Sequence, residues 1–91
     1  MEESDAPVVL DRAGYFVVLP LAERKIINVE HYSYDNMLLR VIEGYSARAL
    51  YLRIIQEGWV TELSHAAYIG KELAKAELSL QHHLQYTQDG A

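Results

Sequence analysis

The stretch HAAYIGKELAKAE, His65 to Glu77, sets one histidine and two glutamates among small and apolar residues on what reads as a single helix. Groups of these types can ligate a metal, move a proton or hold a polar ligand, and their spacing decides which. His65 and Glu72 share a face but stand about 10 Å apart along an axis that rises about 1.5 Å per residue. One ion cannot take both. Zinc ligands on one helix sit at i and i+3 or i+4, and the chain contains no H-x-x-x-H or H-x-x-E-H. His82 and His83 are adjacent, so they point about 100° apart on a helix. His31 belongs to a strand, and nothing in the sequence ties it to His65. No metal site and no cofactor is expected.

Glu77 falls at the edge of the helix's apolar stripe, where a carboxylate needs a partner. Arg48 or Arg53, on the preceding antiparallel helix, is the expected one. Two readings stay open. One is a rim salt bridge of small energetic consequence. The other is a buried ionic pair lining a small-molecule pocket, with His65, Tyr68, Glu72 and Glu77 as its ligand-binding contacts. No catalytic residue is expected, because the chain lacks G-x-S-x-G, cysteine, a glycine-rich phosphate loop and paired carboxylates at catalytic spacing on one element. These absences weigh against an enzyme.

The elements that must position these residues follow from patterning. YFVVL, aromatic and β-branched, and IINVEHY, with Ile27, Val29 and His31 on one face and Ile26, Asn28, Glu30 and Tyr32 on the other, read as a hairpin of strands, Tyr15–Leu19 and Ile26–Tyr32. SYDN is a turn cluster, and MLLRVIE, Met37–Glu43, reads as a third strand closed by Gly44, with a helix as its competitor. Ser46 can cap a helix running to about Glu57, with Gly58 as its stop. Thr61 or Ser64 can cap a longer helix reaching about Gln85, whose stripe passes through Ala66, Ile69, Gly70, Leu73, Ala76, Leu80 and Leu84. Ala66, Gly70 and Ala74 leave one side of it nearly flat, which suits close packing. The tail YTQDGA reads as irregular, with Tyr86 able to pack.

The expected fold is α+β: a three-stranded antiparallel meander followed by two antiparallel helices packed on one face. Residues 1–10 read as a flexible acidic lead and 11–91 as one domain.

A chain of 91 residues buries only about 60–65% of its unfolded surface, and its hydrophobic share is 51% with no cysteine to staple it. The sheet is apolar on both sides: Tyr15, Val17 and Leu19 oppose Phe16 and Val18, and Leu39 and Val41 oppose Leu38 and Ile42. Two helices can cover only one side. A homodimer is therefore expected, by sheet-on-sheet packing or by pairing of edge strands, with a further protein partner open.

A net charge of −5 with eight scattered Lys and Arg argues against nucleic acid and against anionic membranes. No run reaches the roughly 18 apolar residues of a membrane span, and no secretory signal is evident, so a cytoplasmic protein is expected. Seven tyrosines, among them Tyr32, Tyr34 and Tyr45, read as half-buried core more than as a recognition surface.

HAAYIGKEL and YTQD, together with DRAGYFVVL, VEHY and IEG, resemble a small domain-of-unknown-function family across about Asp11 to Asp89. That family is found as short cyanobacterial proteins and at the C-terminus of dihydropteroate-synthase-like proteins. The resemblance implies no activity and assigns no residue a role, though its fusion partners point to pterin or one-carbon metabolism. The leading expectation is a non-enzymatic, self-associating binding or assembly module. The alternative is a domain that binds a pterin-like or one-carbon cofactor, or serves as an accessory enzyme domain.

Overall fold

The computed structural model describes residues 9–11 and 14–90. The acidic lead expected over 1–10 lies almost wholly outside them. Four antiparallel strands in the order β1 (Val9–Asp11), β2 (Gly14–Leu21), β3 (Ile26–Tyr32) and β4 (Leu38–Gly44) precede α1 (Ala47–Gln56) and α2 (Leu63–His82). The expected meander of three strands and two helices is present. The short β1 adds a fourth strand at the outer edge of β2, opposite Gly14 and Tyr15.

The alternation read from the sequence sets which face is inside. Phe16 and Val18 of β2, Ile27 and Val29 of β3 and Ile42 of β4 turn to the helices and are buried with Leu50 and Ile54 of α1 and Ile69, Leu73 and Ala76 of α2. β2 and β3 pair in register from Tyr15 opposite Tyr32 to Leu21 opposite Ile26, so a one-residue slip would expose that whole set. Gly14, at φ 138°, starts β2 where a Cβ would stand 1.7 Å from the Tyr32 carbonyl oxygen, so only glycine fits.

The helices begin and end for local reasons. Ser46 Oγ accepts the Ala49 N–H at 3.1 Å, and Gly58 at φ 73° closes α1, both as its sequence predicts. α2 differs at both ends. Glu62, not Thr61 or Ser64, is its N-cap and makes no side-chain capping bond. It stops at His82, because His83 takes the left-handed conformation and the Leu84 N–H returns to the Ser79 carbonyl. Gly70 lies where a Cβ would come within 3.1 Å of the Tyr51 ring. Ala74 faces solvent, so the close approach of the helices is confined to the Ala66–Gly70 part of the stripe.

The second sheet face is apolar in an uneven way. Ile26 and Asn28 are buried there and Val17 is half-buried, whereas exposure concentrates on β4, at 53% for Leu39 and 48% for Val41.

Candidate functional site

The site is built on α2 by Tyr68 and Glu72, one helical turn apart and facing the start of β2. Beyond His83 the chain doubles back, and residues 86–89 lie against this face. The Tyr86 hydroxyl donates to Glu72 Oε1 at 2.8 Å, and the Asp89 N–H reaches the same oxygen at 3.4 Å. Lys75 Nζ stands 3.3 Å from Glu72. Glu72 is fully buried and the only carboxylate so placed among the described residues. Its acceptor positions are taken by the protein itself, as a buried charge requires.

Gln88 is the hinge pin of the arrangement. Its Oε1 accepts the Val18 N–H at 2.9 Å, and its Nε2 donates to the Phe16 carbonyl and to the Tyr68 hydroxyl, each at 2.8 Å. A side-chain amide thereby takes the position of a neighbouring strand on the part of the β2 edge that β1 does not reach. The Tyr68 hydroxyl donates onward to the Asp89 carbonyl at 2.7 Å. Lys71 and Lys75 clamp the Asp89 carboxylate at 2.7 and 3.1 Å.

These contacts order the protonation states. The two lysines hold the Asp89 carboxyl below the usual carboxylate range. Hydrogen bonding to Asp89 raises Lys71. Burial opposes the charge of Lys75, but its bonds to Asp89 and Glu72 outweigh that and raise it. Burial pushes the Tyr86 phenol up, and its bond to Glu72 pushes it further. Burial likewise raises Tyr68 against the lowering effect of Gln88.

A pH dependence follows. Unfolded phenols ionise near about pH 10, while folded Tyr68 and Tyr86 hold their protons to higher pH. Their contribution is therefore intact below about pH 10 and falls as pH rises beyond it, because the unfolded chain then binds fewer protons. Phenolate absorbance of the folded protein should lag behind that of the guanidinium-unfolded chain and complete only as the circular dichroism is lost. Coincident curves would contradict the burial of both rings. Asp89 acts in the opposite sense: its contribution is present above about pH 4 and lost as pH falls through its lowered folded value.

The other two candidates lie apart. His65 is mostly covered; its Nε2 is 3.7 Å from Glu62, and its Nδ1 is buried without a partner. No hydrogen bond among the described residues joins it to Tyr68 or Glu72. Glu77 binds neither Arg48 nor Arg53. Arg53 pairs instead with Glu57 at 2.8 Å. Glu77 Oε1 accepts the Ala47 N–H at 2.6 Å and Oε2 accepts from Gln81 at 3.1 Å. The carboxylate thus caps α1, which carries no acidic residue in its own first turn, and its charge meets the positive end of that helix. Replacing Glu77 with alanine should cost about 1–2 kcal/mol in urea denaturation, and glutamine, which keeps an oxygen for Ala47, should cost less. Equal losses would mean that the charge, not the cap, matters.

Sequence reasoning named Tyr68 and Glu72 among the candidate contacts, with His65 as the residue sharing the face of Glu72, but missed Gln88, Lys71, Lys75 and Asp89 as their partners. The YTQD resemblance and the packing expected of Tyr86 were what marked the tail. No group of three or more potential metal ligands occurs among the described residues, and no helix there is long and apolar enough to cross a membrane.

Residues 10–89 match the family model described as PterinBD-DUF4346. The chain belongs to that family. An uncharacterized protein of Methanocaldococcus jannaschii is 28% identical over 87 residues, which cover 96% of this chain but 16% of the relative. The uncharacterized protein ycf91 of Porphyra purpurea is 30% identical over 86 residues, 88% of this chain and 71% of the relative. This PterinBD-DUF4346 domain thus spans a small part of one relative and most of the other. No solved structure matches it at a significant level.

Proposed function

We propose that this PterinBD-DUF4346 chain is a non-enzymatic binding and assembly module that associates with itself as a homodimer in the cytoplasm. The observation that carries the reading is the apolar exposure gathered on β4, where Leu38, Leu39 and Val41 are each about half exposed, in a chain too small to leave such a surface without consequence. The polar face of α2 supports it, since Tyr68 and Glu72 are occupied by the chain's own tail and offer no open hydrogen-bonding groups to a substrate. Sedimentation velocity across a concentration series tests it. A species of twice the chain mass is expected, and a monomer throughout would end the proposal.

A second reading, an accessory domain for a pterin-like or one-carbon cofactor, rests on the family's description and on a cleft of about 440 Å³ between β2 and the end of α2. That volume is within the roughly 300–1,000 Å³ of small-molecule sites. Its lining includes Pro20, Ser79, His83 and Tyr86, but none of His65, Tyr68, Glu72 and Glu77. Glu77 borders a separate cleft of about 290 Å³ with Lys25 and Tyr45. Native mass spectrometry of the protein from its own host separates the readings, because a retained small molecule supports the second and a bare dimer the first.

A further inference from the structure

The ladder alternation shows which backbone groups of β4 are in use. On β2, Phe16 and Val18 present their carbonyl and N–H outward to Gln88, so Tyr15, Val17 and Leu19 turn theirs toward β3. Glu30 and Asn28 of β3, opposite Val17 and Leu19, therefore bond back to β2. Ile27, Val29 and His31 bond to Gly44, Ile42 and Arg40 of β4. The Ser33 N–H, donating to Met37 at 2.8 Å, obeys the same parity. Val41 and Glu43 are left with their N–H and carbonyl groups pointing off the sheet. Nothing among the described residues pairs with them.

Edge strands are normally guarded by charge, and β4 has two charged residues, both engaged by neighbours within the same chain, Arg40 partly buried and Glu43 exposed. Arg40 donates from Nε to His31 Nδ1 at 3.0 Å, and its guanidinium lies 4.7 Å from the Trp59 ring centroid. Glu43 accepts from Asn28 at 3.0 Å and from Arg24 at 3.4 Å. What remains outside is apolar: the register shifts at Leu39, which sets Leu38 opposite Tyr32 on the same face as Val41, and all three side chains are about half exposed.

We infer that β4 pairs antiparallel with β4 of a second copy about a two-fold axis at Val41, joining two sheets into one. This rests on the self-association proposed above and gives it a geometry. Val41 exchanges both its bonds with its own copy, and Glu43 stands opposite the partner copy's Leu39, so no like charges meet. Centring on Ile42 would bring together a side chain that is already buried, whereas centring on Val41 covers an exposed one. The opposite side of the sheet cannot propagate the contact, because Gln88 seals β2 and β1 is three residues long. The assembly closes as a dimer instead of growing. A contact this narrow falls below the roughly 800 Å² per partner of a standard interface, so its dissociation constant should be in the micromolar range.

The test uses the whole 91-residue chain, which has no cysteine of its own. Val41→Cys should oxidise to a covalent dimer, since hydrogen-bonded antiparallel partners sit about 5.5 Å apart at Cα, within disulfide reach. Leu39→Cys should not, because its two copies would lie about 13 Å apart. In sedimentation, Val41→Lys should weaken the dimer about tenfold or more, while Leu19→Lys, on the sheet face away from the edge, leaves it unchanged. A dimer that survives Val41→Lys, fails with Leu19→Lys, or does not cross-link through Val41→Cys would overturn edge pairing and leave self-association standing. A wild-type chain that stays monomeric would remove both.

Discussion

Replacing Glu72 with alanine should lower the free energy of unfolding by about 3–5 kcal/mol, the loss found when one partner of a buried ionic cluster is removed. Urea denaturation measures it directly. The size of the effect comes from what is left behind. The Tyr86 hydroxyl and the Asp89 N–H lose their acceptor, and Lys75, with its side chain one-third exposed, loses its buried counter-charge. The exposed Arg53–Glu57 pair gives the contrast. Its distance is shorter, at 2.8 Å, but both groups are hydrated, and such pairs contribute about 0–1 kcal/mol. Burial, not distance, sets the magnitude. Glu72→Gln keeps an oxygen for Tyr86 and loses only the charge, so it should fall between wild type and alanine. A domain of this size has about 5–15 kcal/mol in total, so the alanine variant should be poorly folded at physiological temperature. A loss under about 1 kcal/mol would show that the tail, not Glu72, adapts to the change.

The parts of the fold that could be read from the sequence are those where one residue's neighbours along the chain determine its place. Phe16 and Val18, or Ile27 and Val29, point inward because a strand alternates, and Ser46 and Gly58 bound α1 because of what their own atoms can do. The end of α2 was not readable in this way. His83 adopts a left-handed conformation that glycine or asparagine would have announced, so the helical pattern appeared to run on to Gln85. Glu77 was recognised as needing a partner, but an arginine side chain was expected where a backbone N–H serves. Sequence shows charges and hides orphan amides.

The site was half visible for a related reason. Tyr68 and Glu72 lie on a helix with a clear period, so both could be named as candidates, though the face read for Glu72 was the one it shares with His65. Gln88 meets Val18 across 70 positions of chain from a segment with no periodicity, where polar residues read as solvent-facing by default. The apolar second face of the sheet and its exposure were anticipated, and the gathering of that exposure on β4 was not. That depends on Ile26 and Asn28 being covered while Leu39 and Val41 are left out at an edge.

Gln88→Ala should cost about 2–4 kcal/mol, since it strands the Val18 N–H and the Phe16 carbonyl, at about 1–3 kcal/mol for each group that water fails to reach, while the Tyr68 hydroxyl keeps its bond to Asp89. Gln88→Glu is the sharper variant. It keeps the shape and an oxygen for Val18, but sets a second oxygen where Nε2 now stands 2.8 Å from the Phe16 carbonyl, so it should be no better than alanine despite its conservatism. Together with Glu72→Ala it forms a double-mutant cycle. Gln88 and Glu72 share no hydrogen bond, yet both hold residues 86–89 against α2. If that segment docks as one unit, the first substitution already releases what the second would remove, and the pair should lose about 1–2 kcal/mol less than the sum. Strict additivity would mean that Tyr86 and Gln88 bind independently, and the seal on the β2 edge would then persist without the buried carboxylate.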